Sequence, residues 1–323
     1  MLKDLGSLNY FLGIQISHTK YGITLTQTKY AFDVLHIFHM ENAKPTKTPC
    51  CPSIRLVPHS GVASSDPTEY RRMIGALQYL TFTRLDLAFS VHQLCQFMSK
   101  PTSSQLEVAK HVLRYITGTL HHGINFFPGP LTLTAFSNVD WARDPTDRRS
   151  TIGLLVFLGS SPISWSAKKQ NIVSRSSIEA EYRALATSAA KLSWLRILFK
   201  ELKIFLSRVP VIWCDNVFAI ALFANPVFHS LTKHLEVDYH YIHEKVLHRD
   251  LNVSFVLGKD NLVDVFTKAL PTQFLFFHHK LLVDSSPYHL RGDVEAKGAQ
   301  GDLGGANFGS IEVMKSTCTI LLK

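Results

Sequence analysis

A mixed α/β fold is predicted for this 323-residue chain, and three features of the sequence carry the prediction. From Leu131 onward, three strand-like runs are followed by a long amphipathic helix, a strand, two helices and a last strand. That order belongs to mixed α/β domains. The long helix announces its start, because Ser176 with Glu179 three residues later forms a capping-box signal. Behind it runs the apolar stripe Leu185, Ala189, Leu192, Leu195, Phe199 and Leu202. The breakers Phe127-Pro128-Gly129-Pro130 separate this region from an amino-terminal part with strand and helix signals of its own.

In chain order, Tyr10–Ser17 and Ile23–Thr26 are expected as two short strands around a turn at Tyr21-Gly22. A helix is expected from Gln27 to Met40, where Tyr30, Val34, Ile37 and Phe38 share one face. Residues 44–67 are rich in Pro, Ser and Thr without periodicity, which suits a linker. Helical pattern returns over Tyr70–Met98 and Ser104–Ile116, with Gly118 as a C-cap. In the second half, strands are expected at Leu131–Ser137, Ile152–Leu158, Ile163–Ser166, Val209–Cys214 and Asn252–Val256. Helices are expected at Phe218–Phe223, at Lys233–Leu247 and briefly around Asp264. Residues 285–323, with Gly298, Gly301, Gly304, Gly305 and Gly309 in a polar setting, are expected to be disordered.

Composition narrows the function classes. A hydrophobic content of 46% is enough for packed cores and excludes a disordered protein. The net charge of +9 and pI near 9.3 point toward a polyanionic partner. Five cysteines, an odd number without paired zinc spacing, argue for a reducing compartment. Met1–Gly6 lacks the pattern of a signal peptide, and no run approaches the roughly 18 apolar residues of a membrane span. A soluble, intracellular protein without membrane association is therefore expected. His121-His122 and His278-His279 lack a ligand set and are expected at the surface, and Trp141, Trp165 and Trp194 are expected in the core.

Taken singly, Glu181, Asp215 and Asp264 are acids at helix starts or strand ends, where the helix dipole favours them without any function. Their surroundings say more. The stretches Lys3–Ile14, Tyr70–Leu80, Asp147–Gly153, Ser174–Leu185, Cys214–Asn216, Thr232–His234 and Asp264–Lys268 occur in an order that resembles one family closely. It is the Pol polyprotein of Ty1/copia-type retrotransposons, over the end of reverse transcriptase and the whole ribonuclease H domain.

The resemblance implies a ribonuclease H-like mixed sheet with flanking helices at 131–275, preceded by a truncated reverse transcriptase segment. Residues 1–43 would be the end of the palm and the thumb, and 68–128 a helical connection. It implies hydrolysis of RNA in RNA–DNA hybrids with two Mg²⁺ or Mn²⁺ ions, and the remainder of Pol as a partner in the ancestral element. The polymerase Tyr-x-Asp-Asp hairpin does not occur here, so no polymerase site is expected.

Carried over by position, the metal carboxylates fall at Asn138, Glu181, Asp215 and Asp264. The family pattern is Ser-Asp-x-Asp-Trp, and this chain has Ser137-Asn138-Val139-Asp140-Trp141. An amide oxygen brings no charge to a hard cation that favours carboxylates, so hydrolysis is expected to be impaired. Asp140 would lie about 7 Å further along the strand, too far for simple replacement. The alternative reading is a catalytically dead relic that still binds nucleic acid. Arg148, Arg149, Lys168, Lys169 and Arg175 are candidates for phosphate contacts on a hybrid duplex.

Overall fold

The computed structural model describes residues 8–50, 56–58, 61–63, 66–224, 236–270, 274 and 281. The tail at 285–323, the His278-His279 pair and the Thr232–His234 stretch lie outside the described residues.

The first half builds a four-stranded antiparallel sheet in the order β1 (Tyr10–Phe11), β2 (Ile14–His18), β3 (Ile23–Thr26) and β4 (Gly123–Phe126). The single strand expected at Tyr10–Ser17 is instead a hairpin, in which Phe11 pairs with Ile14. Leu12 (φ 46°) and Gly13 (φ 72°) turn the chain there in the left-handed region, the geometry of a two-residue hairpin turn. Alternation of apolar and polar residues could not show a reversal that takes only two residues.

Helices α1 (Thr28–Ile37), α2 (Pro67–Leu80), α3 (Ala88–Cys95) and α4 (Ser103–Gly118) pack on one another. The continuous helical stretch expected at Tyr70–Met98 is therefore broken between α2 and α3. The cause is a buried ion pair: Arg84 Nη2 bonds Asp86 Oδ2 at 2.8 Å, and its other nitrogen donates to the Thr119 carbonyl at 2.9 Å. Tyr115 Oη donates to the same Asp86 carboxylate at 2.8 Å. Buried charges need such full pairing, and the chain leaves the helix to supply it. The Pro- and Thr-rich stretch after α1 lies against α4, with Arg114 Nε donating to the Lys44 carbonyl at 2.7 Å and Ala63 bridging Thr102.

The second half is a five-stranded mixed sheet. Strands β5 (Leu133–Asp140), β6 (Thr151–Leu158) and β7 (Ser161–Lys169) form an antiparallel meander, and β8 (Val211–Cys214) and β9 (Asn252–Phe255) add in parallel beside β5. The spatial order β7-β6-β5-β8-β9 with helices on its faces is the ribonuclease H-like mixed sheet. Helix α5 (Ser177–Glu201) begins as the sequence predicts, with Ser176 Oγ accepting from the Glu179 amide at 3.1 Å. The Glu179 carboxylate reaches back to the Arg175 amide at 2.8 Å, one residue earlier than a capping box requires. Helices α6 (Val217–Ala224), α7 (Glu236–Leu247) and α8 (Asp264–Thr267) complete the layers.

Two adjacent residues of β6 set where the helices lie. Ile152 packs with Val139, Ala180 and Ala184 beneath α5. Gly153 points the other way, and a Cβ there would come within 2.4 Å of Val263 Cγ1 and 2.9 Å of Thr267 Cγ2. Only a glycine lets α8 settle this close to the sheet.

The halves share one buried apolar cluster. Trp165 Nε1 donates to the Thr81 carbonyl at 3.0 Å, and the Lys169 amide donates to His92 Nε2 at 3.1 Å. Burial, with help from Lys169 and Lys168, pulls His92 down to about 4, so its ring is neutral and can accept that bond.

Candidate active site

Because β8 runs parallel to β5, both strands end at the same edge of the sheet, where ligands of open α/β sheets bind. Asn138 lies near the end of β5, and Asp215 directly follows β8. Glu181 is the fifth residue of α5, and Asp264 opens α8. Asn138 Nδ2 donates to Asp264 Oδ1. The ligand atoms of Glu181, Cys214 and Asp215 lie within 4.8 Å of one another, and Asp215 feels the charge of Asp264. All four positions singled out in the sequence are thus brought to one edge of the sheet.

Crowded, part-buried carboxylates resist ionisation. Burial first, then Asp215, pushes Glu181 up to about 8, although the Val139 amide and Lys268 oppose this. Asp215 is raised by burial and by Asp264. A divalent cation would relieve this repulsion, and oxygens from Glu181, Asp215 and Asp264 are the donor set a hard cation prefers. The residues present fit such an ion. Asp140 is ion-paired to Arg143 at 3.0 Å and also feels the charges of Lys268 and Asp264.

Three neighbours carry roles the sequence reading did not assign. Lys268 Nζ lies 3.0 Å from Asp264 Oδ1, an i,i+4 pair that its spacing could have revealed. The buried Asn261 donates to the Ser137 carbonyl at 3.2 Å and also bonds Asp215, so it ties β5 to the residue after β8. The buried Cys214 thiol is pushed up to about 12 by burial and by Glu181 beside it.

Of the basic candidates, Arg148, Arg149, Lys168 and Arg175 are exposed. Lys168 and Lys169 end β7 beside the first residues of β6, at the same end of the sheet as the carboxylates. Lys169 is committed to Asp144 and Asp147, at 2.5 and 2.9 Å, and Arg149 pairs with Asp147 at 3.7 Å. Two of the three tryptophans expected in the core are half exposed. Trp141 (47%) caps the Ser174 carbonyl, and Trp194 (49%) lies under Lys191 on the outer side of α5.

The Retrovirus-related Pol polyprotein from transposon RE1 of Arabidopsis thaliana is 47% identical over 288 residues, 88% of this chain and 20% of that polyprotein. The chain belongs to the copia-type retrotransposon Pol family. It spans about a fifth of the length of the Pol relatives it matches. An uncharacterized mitochondrial protein of Arabidopsis thaliana is also 47% identical, over 60% of this chain and 80% of its own length. Among solved structures, the foamy viral protease–reverse transcriptase in complex with RNA/DNA hybrid is similar over 90% of this chain and 31% of its own, with 14% identity and a TM-score of 0.42. No protein-family model matches the chain. Among the described residues, no helix is long and apolar enough to cross a membrane.

Proposed function

We propose that residues 131–275 are a Pol-derived ribonuclease H region that binds RNA–DNA hybrid and hydrolyses its RNA strand weakly, because position 138 carries an amide. The observation that carries this reading is the convergence of Asn138, Glu181, Asp215 and Asp264 at one sheet edge. Mg²⁺ or Mn²⁺ bound there would activate a water and stabilise the leaving oxygen. Glu181, Asp215 and Asp264 would hold the ion, and Asn261 would fix the direction of Asp215. Arg148, Arg149, Lys168 and Arg175, with Lys169 behind them, would steer the hybrid by its phosphates. Residues 1–43 and 68–128 stand for the end of the palm and thumb and for the connection, and the rest of Pol is the partner in the ancestral element.

A second reading, an inert relic that only binds nucleic acid, is favoured by the way Asn138 turns its amide N–H toward Asp264. One experiment separates them. The unmodified chain should cleave hybrid near background, and Asn138→Asp should raise Mg²⁺-dependent cleavage at least about 100-fold, or roughly 2.7 kcal/mol in the barrier. Adding Asp215→Asn should abolish the gain. No gain from Asn138→Asp would favour the relic, and strong cleavage by the unmodified chain would show that position 138 does not limit the site.

A further inference from the structure

Asp264 holds an internal cation. Its Oδ1 accepts both Asn138 Nδ2 and, at 3.0 Å, the Lys268 ammonium. Asn138 Oδ1 is turned away from Asp264 and accepts from the Val139 amide at 2.6 Å, so at position 138 a donor faces Asp264 where a metal site needs an acceptor. The Asp140 charge is already met by Arg143. The three remaining carboxylates, when ionised, set against one ammonium leave two negative charges, the charge of a single divalent cation. The carboxylates of Glu181 and Asp215 lie near each other, and neither forms an ion pair among the described residues.

We propose that Lys268 is a resident counter-cation that stands in for the second metal ion, so that this chain's site takes one divalent cation, at Glu181 and Asp215. The proposal rests on the metal-site reading above, narrows its ligands to Glu181 and Asp215 because Asp264 is bound to Lys268, and assigns the number of ions and the residue that sets it. Lys268 is a positioning residue here, acting through Asp264.

The test is Mn²⁺ binding to the full chain by equilibrium dialysis, with free ion read by electron paramagnetic resonance. The unmodified chain should bind one ion. Lys268→Met, which leaves Asp264 without a cation and with the neutral Asn138 amide alone, should bind two and bind the first at least about tenfold tighter, equal to 1.4 kcal/mol. Lys268→Arg keeps the cation and should still bind one. Lys268 is part-exposed, so the variants should fold, and circular dichroism checks this; Lys268→Gln serves as a second neutral variant. Two ions in the unmodified chain, or one in both folded neutral variants, would overturn the proposal while leaving the metal-site reading intact. No ion in any variant would overturn both.

Discussion

At position 138, replacing a carboxylate by an amide keeps the side chain's shape and reverses its role toward Asp264. A carboxylate there would set two negative groups face to face, more than one ammonium can offset, and so would draw in a divalent ion. The amide instead donates to Asp264 and leaves Lys268 sufficient. Glu181 yields a pH-dependent outcome at the same scale. Its folded-state value of about 8 lies above the ordinary glutamate value, so its contribution to stability is full below about pH 4.3 and is lost as pH rises through 8. Glu181→Gln, which cannot ionise, should therefore gain on the parent as pH rises, by on the order of 2 kcal/mol at pH 9 in chelator and by little at pH 5. Urea unfolding at the two pH values measures this. An equal effect at both would mean that Glu181 is not held against ionisation.

At the scale of elements, α8 carries Asp264 and rests on Gly153 of β6, directly across the register from Asn138. The contact fixes how near Asp264 comes to β5. Gly153→Ala should force α8 off the sheet and cost about 1–3 kcal/mol, as overpacking does. Val263→Ala should restore part of the loss by making room for the added methyl. Denaturant midpoints of the two single variants and the double variant give the comparison, and additive losses would contradict the contact. The break between α2 and α3 teaches a related point. Leu85 and Leu87 continue an apolar pattern, yet the buried Arg84–Asp86 pair, held by Tyr115 and Thr119, dictates where the helices stop.

For the whole molecule, the β7 end of the second sheet docks on α2 and α3 through Trp165 and Lys169. A fragment of residues 131–275 should fold, since its sheet is complete, but should melt at least about 4 °C below the full chain, the shift expected for 1–2 kcal/mol in a domain of this size. Calorimetry of both decides it, and an equal Tm would show that the docking adds nothing. The net charge of +9 sets a second expectation. Binding of the full chain to RNA–DNA hybrid should weaken steeply between about 50 and 200 mM salt and hardly change when the hybrid sequence is scrambled. Flat salt dependence would argue against phosphate contacts.

The sequence by itself determined the family, the order of elements in the second half and the four positions that meet at the sheet edge. Hydrophobic periodicity and the Ser176 cap are local properties, and the motifs carry Asn138, Glu181, Asp215 and Asp264 in an order that composition cannot supply. It also exposed the amide at 138, because a single letter departs from an otherwise intact pattern. Tertiary structure alone decided what that amide does. Its contact with Asp264 joins residues 126 positions apart, and Lys268 matters only because α8 is laid on Gly153 beside β5. The tight reversal at Leu12-Gly13, the helix break at Arg84 and the outward Trp141 and Trp194 were hidden for the same reason. Each depends on partners distant in the chain or on a turn shorter than the period used to detect it, and periodicity records only which side of an element is apolar.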